Sequence, residues 1–150
     1  MRFSICIRTY KENDAEQLIT LIRELQAHEL TIFDRMKPPS DIGAWYVENL
    51  LRQVEEHSGQ ILVAERASRL IGYAAVMTSM TQDDPEEIAY SYAYVADIAV
   101  TKDHRGTGLG KRLLTECEKL ALNRGAKWLR INALAGNIRA VEFYRQFGFS

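Results

Sequence analysis

Alternation of apolar and polar positions opens the chain. Phe3, Ile5 and Ile7 interleave with Ser4, Cys6 and Arg8, the period of two expected of a strand. The period then changes. Leu18, Leu21, Ile22 and Leu25 recur at helical spacing behind Asn13 and Asp14, which can cap, with Glu16 and Gln17 placed as capping-box partners; this predicts a helix to about His28. Pro38 and Pro39 break the chain, Ser40 and Asp41 can cap again, and Trp45, Leu50, Leu51 and Val54 predict a second helix ending near Ser58 and Gly59.

Two β-rich runs follow, 60–66 and 70–80, separated by Ala67, Ser68 and Arg69, a hairpin spacing. The acidic stretch 81–87, with the third proline, reads as a solvated loop. Residues 89–100 form a long β-branched and aromatic run, a fourth strand. Leu109, Leu113, Cys117, Leu120 and Ala121 share one face of a helix over 109–124 that Gly125 can end. A short strand at 127–133 and a short helix at 137–146 complete the pattern, with no repeat, linker or low-complexity tract.

Composition narrows what such a chain can be. At 150 residues and 47% hydrophobic content it suits one domain, 1–150, able to bury a core without disulfides or metals. Nineteen Lys and Arg against 20 Asp and Glu leave a formal charge of −1, which argues against non-specific nucleic-acid binding. Cys6 and Cys117 lie far apart without CxxC spacing, which fits a reducing compartment and disfavours structural zinc, so no metal site is expected. The N-terminus lacks signal-peptide character, and no stretch approaches the roughly 18 apolar residues of a membrane span. A soluble cytoplasmic protein is the simplest expectation.

The segment richest in chemistry is Arg105-Gly106-Thr107-Gly108-Leu109-Gly110-Lys111-Arg112, between a hydrophobic strand and an amphipathic helix. Glycines let backbone approach a ligand, and the first amides of a helix have no internal partners, so the segment can cradle a diphosphate. It is not GxxxxGK[ST]: position 105 is Arg, and Gly110-Lys111 precedes Arg112. It is not the dinucleotide GxGxxG either, because the loop reads GxGxG and follows hairpin-connected strands. It fits [QR]xxGx[GA].

Here the sequence resembles the GNAT superfamily of acetyl-CoA-dependent N-acetyltransferases. A second stretch, from Asn137 through Phe143-Tyr144 to Gly148-Phe149, is similar to that family's NxxAxxFYxxxGF. The resemblance implies an α/β fold with a central twisted mixed sheet, helices on both faces, and acetyl-CoA in a V-shaped gap between strands four and five. It implies that strand-four backbone at Ile98 and Val100 runs along the pantetheine arm. The loop of Arg105, Gly106, Thr107, Gly108 and Gly110 would take the pyrophosphate, with Lys111 or Arg112 for charge. Asn137 would bond the cofactor arm or cap the last helix, and Tyr144 would protonate the departing thiolate. No covalent enzyme intermediate is implied, and Cys117 reads as core.

The general base is less defined. Asp97 is the only carboxylate of strand four and can act directly or through water, but a bulge would change its face. Tyr92 and Tyr94 share a face opposite Asp97 in a regular strand. Glu29, Asp34, Trp45 and Tyr46 fall in the helical region that shapes the acceptor site in the family, where acidic groups suit a cationic amine. The acceptor is expected to be a primary amine of a small molecule or peptide; a protein N-terminus or lysine, or a non-catalytic acyl-CoA-binding module, are the alternatives. Family members continue past the GF pair into a further strand, whereas this sequence stops at Ser150. The expectation is a missing C-terminal strand, through truncation or with a homodimer partner covering the sheet edge.

Overall fold

The protein is described from a computed structural model covering residues 4–150. Among these residues five strands follow the alternating runs: β1 (Cys6–Thr9), β2 (Gln60–Arg66), β3 (Arg69–Gln82), β4 (Tyr90–Val100) and β5 (Leu129–Ile131). They lie in chain order in one sheet. The first four are antiparallel, and β5 joins β4 in parallel. Phe3 falls outside the described residues. The β2–β3 turn is tighter than its spacing suggests, because Arg69 already pairs with Arg66. Ala67 and Ser68 alone make the turn with φ of 51° and 64°. Two left-handed residues match the twist of the strands, at a steric cost that glycine would avoid. Strand β3 also runs further than its apolar pattern, as Thr81 and Gln82 pair with Ser91 and Tyr90 and so leave the acidic loop.

Among the described residues four α-helices cover the sheet: α1 (Ala15–Leu30), α2 (Ala44–Glu56), α3 (Leu109–Asn123) and α4 (Ile138–Phe147). Leu18, Leu21 and Ile22 of α1 and Val47, Leu50 and Val54 of α2 pack with Val63, Tyr73 and Ala75 on one face. Leu109, Leu113, Leu114 and Cys117 of α3 pack with Ile71, Ala74 and Val95 on the other, where α4 adds Phe143 and Tyr144. Each fully buried leucine contributes about 1.5–3 kcal/mol of transfer free energy. Among the described residues no helix is long and apolar enough to cross a membrane.

Helix entry departs from the expected capping. Asp14 precedes α1 without a side-chain cap. Its carboxylate instead accepts the Lys11 amide at 2.8 Å and pairs with both terminal nitrogens of Arg8 at 2.8 and 2.9 Å. An arginine fork outcompetes a neutral helix amide for a carboxylate. Gln17 is drawn away too, its Oε1 accepting the Leu70 amide at 2.8 Å. Ser40 and Asp41 form a 3-10 turn, and α2 begins after Gly43. Between α2 and β2, Gly59 lies so close to β3 that a Cβ would stand 2.1 Å from the Val76 carbonyl oxygen, so only glycine fits.

Candidate active site

The glycine loop connects β4 to α3. Gly106 and Gly108 have φ of 76° and 86°, and a Cβ on either would project into open space. Both are therefore glycines for conformation, and their backbone is accessible to a ligand. Arg112 is the first amide to close a bond onto the cap, donating to the Gly108 carbonyl at 3.1 Å. The amides of Leu109, Gly110 and Lys111 precede that first helical bond and can serve an anion. The loop is braced from within, as Thr107 Oγ1 donates to the His104 carbonyl at 2.5 Å and Arg105 Nε to the Val100 carbonyl at 3.3 Å. Gly110 has a further reason to be small: a Cβ there would meet the Phe143 ring at 3.1 Å. Arg112 turns to the Ile5 carbonyl at 3.3 Å, while Lys111 is exposed beside the loop.

Pairing of β4 with β5 stops at Val95 and Ile131, although β4 runs on to Val100. The strands part where the register of β4 with β3 also breaks: Asp97 faces Ala75 and Val95 faces Val76, leaving Ala96 as an extra residue. This bulge answers the question of faces. Tyr94 pairs with Met77, and Asp97 with Ala75, both β3 residues of the α1–α2 core. Tyr94 and Asp97 thus share a side that strict alternation would deny them.

A cleft of about 400 Å³ opens where the strands part. It gathers Glu29 from α1, Tyr46 from α2, Asp97 and Ile98 from β4, Asn137 from the N-cap of α4 and Tyr144 from α4 itself. Asp97 Oδ2 accepts from the Tyr46 hydroxyl at 2.9 Å and from the Tyr73 hydroxyl at 3.2 Å. Burial raises the Asp97 pKa above the ordinary carboxylate range, and the two phenol donors offset this only in part. Burial also raises Glu29, with a further push from Asp97. The Tyr144 phenol is pushed up to about 12, first by burial and then by the charges of Glu29 and Asp97. It is a protonated donor throughout the neutral range.

Asn137 caps α4, its Oδ1 accepting the Ala140 amide at 3.2 Å, and lines the cleft as well. Tyr92 and Tyr94 lie outside the lining: Tyr92 sits under the Arg130 guanidinium at 4.1 Å, and Tyr94 accepts from Asn132 at 3.1 Å. Asp34 and Trp45 are likewise outside. Tyr73, from the middle of an apolar strand, is the participant that sequence reading missed. Its one signal was a phenol as the single hydroxyl of the stretch 70–77.

Along most of its length the chain is similar to known proteins. It matches the model of the Acetyltransferase (GNAT) family over residues 19–149, and the chain belongs to that family. It is an acetyl-CoA-dependent N-acetyltransferase. A bovine (Bos taurus) relative, thialysine N-epsilon-acetyltransferase, is 29% identical over 155 residues, spanning 96% of this chain and 83% of the relative. In fold the chain is similar to an aminoglycoside N-acetyltransferase, AAC(6')-Iy, solved in complex with CoA (TM-score 0.74, 16% identity, 100% of this chain and 90% of that one). An aminoglycoside acetyltransferase from an uncultured soil metagenomic sample, in complex with sisomicin, superposes with TM-score 0.67 at 21% identity over 97% of this chain and 88% of its own. The open Gly106–Gly108 backbone and the stretch of β4 beyond Val95 that β5 leaves uncovered fit acetyl-CoA as co-substrate.

Proposed function

We propose that the enzyme acetylates a primary amine of a small molecule or peptide by direct attack, in the cytoplasm. The observation that carries this reading is the convergence in one cleft of the Tyr144 phenol, the Asp97 carboxylate and the open run of β4. Bound acetyl-CoA supplies an activated acetyl group: the amine nitrogen bonds to the carbonyl carbon, the carbon–sulfur bond breaks, and an N-acetyl amine and a free thiol result. The residues divide the remaining work. Backbone amides of Gly106 to Lys111 hold the pyrophosphate, with the Lys111 ammonium for charge. Arg105 braces that loop, β4 backbone at Ile98 and Val100 aligns the pantetheine arm, and Asn137 bonds it.

Tyr144 gives its proton to the departing sulfur, a role suited to a phenol that stays protonated at neutral pH. Asp97 takes the proton lost by the amine, directly or through water. Its raised pKa makes it a better base than an ordinary aspartate. The bovine relative is named for an N-epsilon amine and two structural neighbours for aminoglycosides, which supports small amine acceptors.

The test is thiol release from acetyl-CoA against diamines, aminoglycosides, lysine-like amino acids and peptides with free N-termini. Turnover of small amines or short peptides is the expected result. Folded protein that binds acetyl-CoA and turns over no amine in the panel would leave an acyl-CoA-binding module and overturn the reading.

A further inference from the structure

Resting on the reading of the cleft as the acceptor site, we infer that this enzyme selects an acceptor carrying a second positive charge besides the amine it acetylates, and that Glu29 is the residue that selects it.

The protein buries carboxylates in two ways. Asp14, 4% exposed, is matched by the Arg8 guanidinium at 2.8 Å. Glu29 and Asp97 have no counter-ion: among the described residues neither has a salt bridge, and no Lys, Arg or His lines the cleft they share. Both phenol bonds to Asp97 fall on Oδ2. Oδ1 and both oxygens of Glu29 have no donor among the described residues, yet no buried side-chain oxygen is left unpartnered. These oxygens therefore reach solvent, and the space beside them is the cleft.

Two partly buried carboxylates without a counter-ion are unfavourable in the empty protein. A cationic ligand removes that cost. One carboxylate is accounted for by the reaction, since the acetylated nitrogen must shed its proton and becomes a neutral amide. The other keeps its charge throughout and suits a cation that keeps its own. Asp97, on β4 where the strand runs unpaired past β5, is the first; Glu29, projecting from α1, is the second. The substrate class that fits is a diamine, a polyamine or another molecule whose second basic group stays protonated.

The experiment compares an α,ω-diamine with the amino alcohol of equal length, one ammonium replaced by a hydroxyl. Calorimetric titration of CoA-loaded protein needs no turnover. Wild type should bind the diamine about tenfold more tightly or better, the scale of one hydrogen bond to a charged group, and Glu29→Gln should reduce that ratio to near unity. Steady-state kcat/KM for the two acceptors should show the same preference, residing in KM. Glu29→Asp, which keeps the charge on a shorter stem, should recover part of it.

Equal binding of the two ligands by wild type, or a preference that survives Glu29→Gln, would overturn the inference. The wild-type arm decides even if the Gln variant folds poorly. Failure of all turnover with the binding preference intact would count against the proposed reaction and not against this selection.

Discussion

Between the sheet and α3, the buried side chains are aliphatic with one thiol, and Leu113, Leu114 and Cys117 are wholly inaccessible. Between the sheet and α1–α2, the interior also admits the Tyr73 phenol, which reaches through to Asp97 together with Tyr46. The first side is dry and insensitive to charge, while the second holds hydroxyls and a carboxylate whose burial costs free energy. The difference marks a division of labour. The α3 side anchors the glycine loop and α4, and the α1–α2 side tolerates unfavourable polar burial because its edge is the reaction cleft.

Tyr144 belongs to both sides: it packs against the dry side and lines the cleft. Tyr144→Phe keeps the ring and removes the donor. Turnover should fall by about a hundredfold or more, the range of a lost general acid, with stability unchanged. Thiol-release kinetics beside a chemical denaturation curve check both halves. A variant with full turnover would remove Tyr144 from the reaction and leave it a packing residue.

How much of this was legible beforehand follows the same division. The α3 side could be read because its rules are local: Leu109, Leu113, Cys117 and Ala121 announce a helical face, and Gly106 and Gly108 announce backbone that can approach a ligand, for which the fold then uses φ of 76° and 86°. The reacting side could be read only in part, because its geometry depends on register. Asp97 was visible as a lone carboxylate in a strand, but its face was fixed by one extra residue, Ala96, which no period reveals. Tyr73 was hidden among apolar neighbours, since its partner is 24 positions away. The expected caps failed for a related reason. Asp14 was taken by Arg8, six positions back on β1, and by the Lys11 amide, while Gln17 was taken by the Leu70 amide, a contact made only once α1 lies beside β3.

The dry side should respond to volume alone. Leu113 is fully buried, and Leu113→Ala should cost about 2–5 kcal/mol, from the lost transfer free energy and the cavity left behind. Urea denaturation measures it, and turnover per folded molecule should hold close to wild type. A parallel collapse of turnover at full folding would show that the α3 packing sets the reaction geometry as well as stability.

The reacting side should respond to charge, and with opposite sign. Burial raises the Asp97 pKa above its unfolded value, so the folded state binds the proton more tightly than the unfolded one. That contribution to stability is full below the ordinary carboxylate range and is lost as pH rises through the folded value. At neutral pH the carboxylate therefore burdens the fold, and Asp97→Asn should stabilise it by about 1 kcal/mol while lowering turnover. The gain should shrink as pH falls toward about 4, where aspartate normally protonates. Asp14 runs the other way: the Arg8 bond lowers its pKa, and its stabilisation is present above the ordinary value and lost as pH falls through the folded one. Asp14→Asn should destabilise at pH 7. Two aspartates with opposite neutral-pH effects would separate a carboxylate kept for structure from one kept for chemistry; the same sign for both would erase the distinction.

The smallest effect tests whether the two sides communicate. Glu24, on α1, accepts the Lys102 amide at 2.8 Å and stands 3.7 Å from Arg105 at the entrance to the glycine loop. The Glu24–Arg105 pair is about 40% exposed, with side-chain exposures of 36% and 41%, so it is screened and contributes little stability. Glu24→Gln keeps an oxygen for the Lys102 amide and removes only the charge beside Arg105. Stability should change by less than about 0.5 kcal/mol. If Arg105 is held in place by that charge, the KM for acetyl-CoA should rise about twofold with kcat unchanged, and the shift should vanish at high salt, where the wild-type pair is already screened. An unchanged KM at every ionic strength would mean that the Val100 carbonyl alone fixes Arg105, and that the loop answers only to the dry side of the sheet.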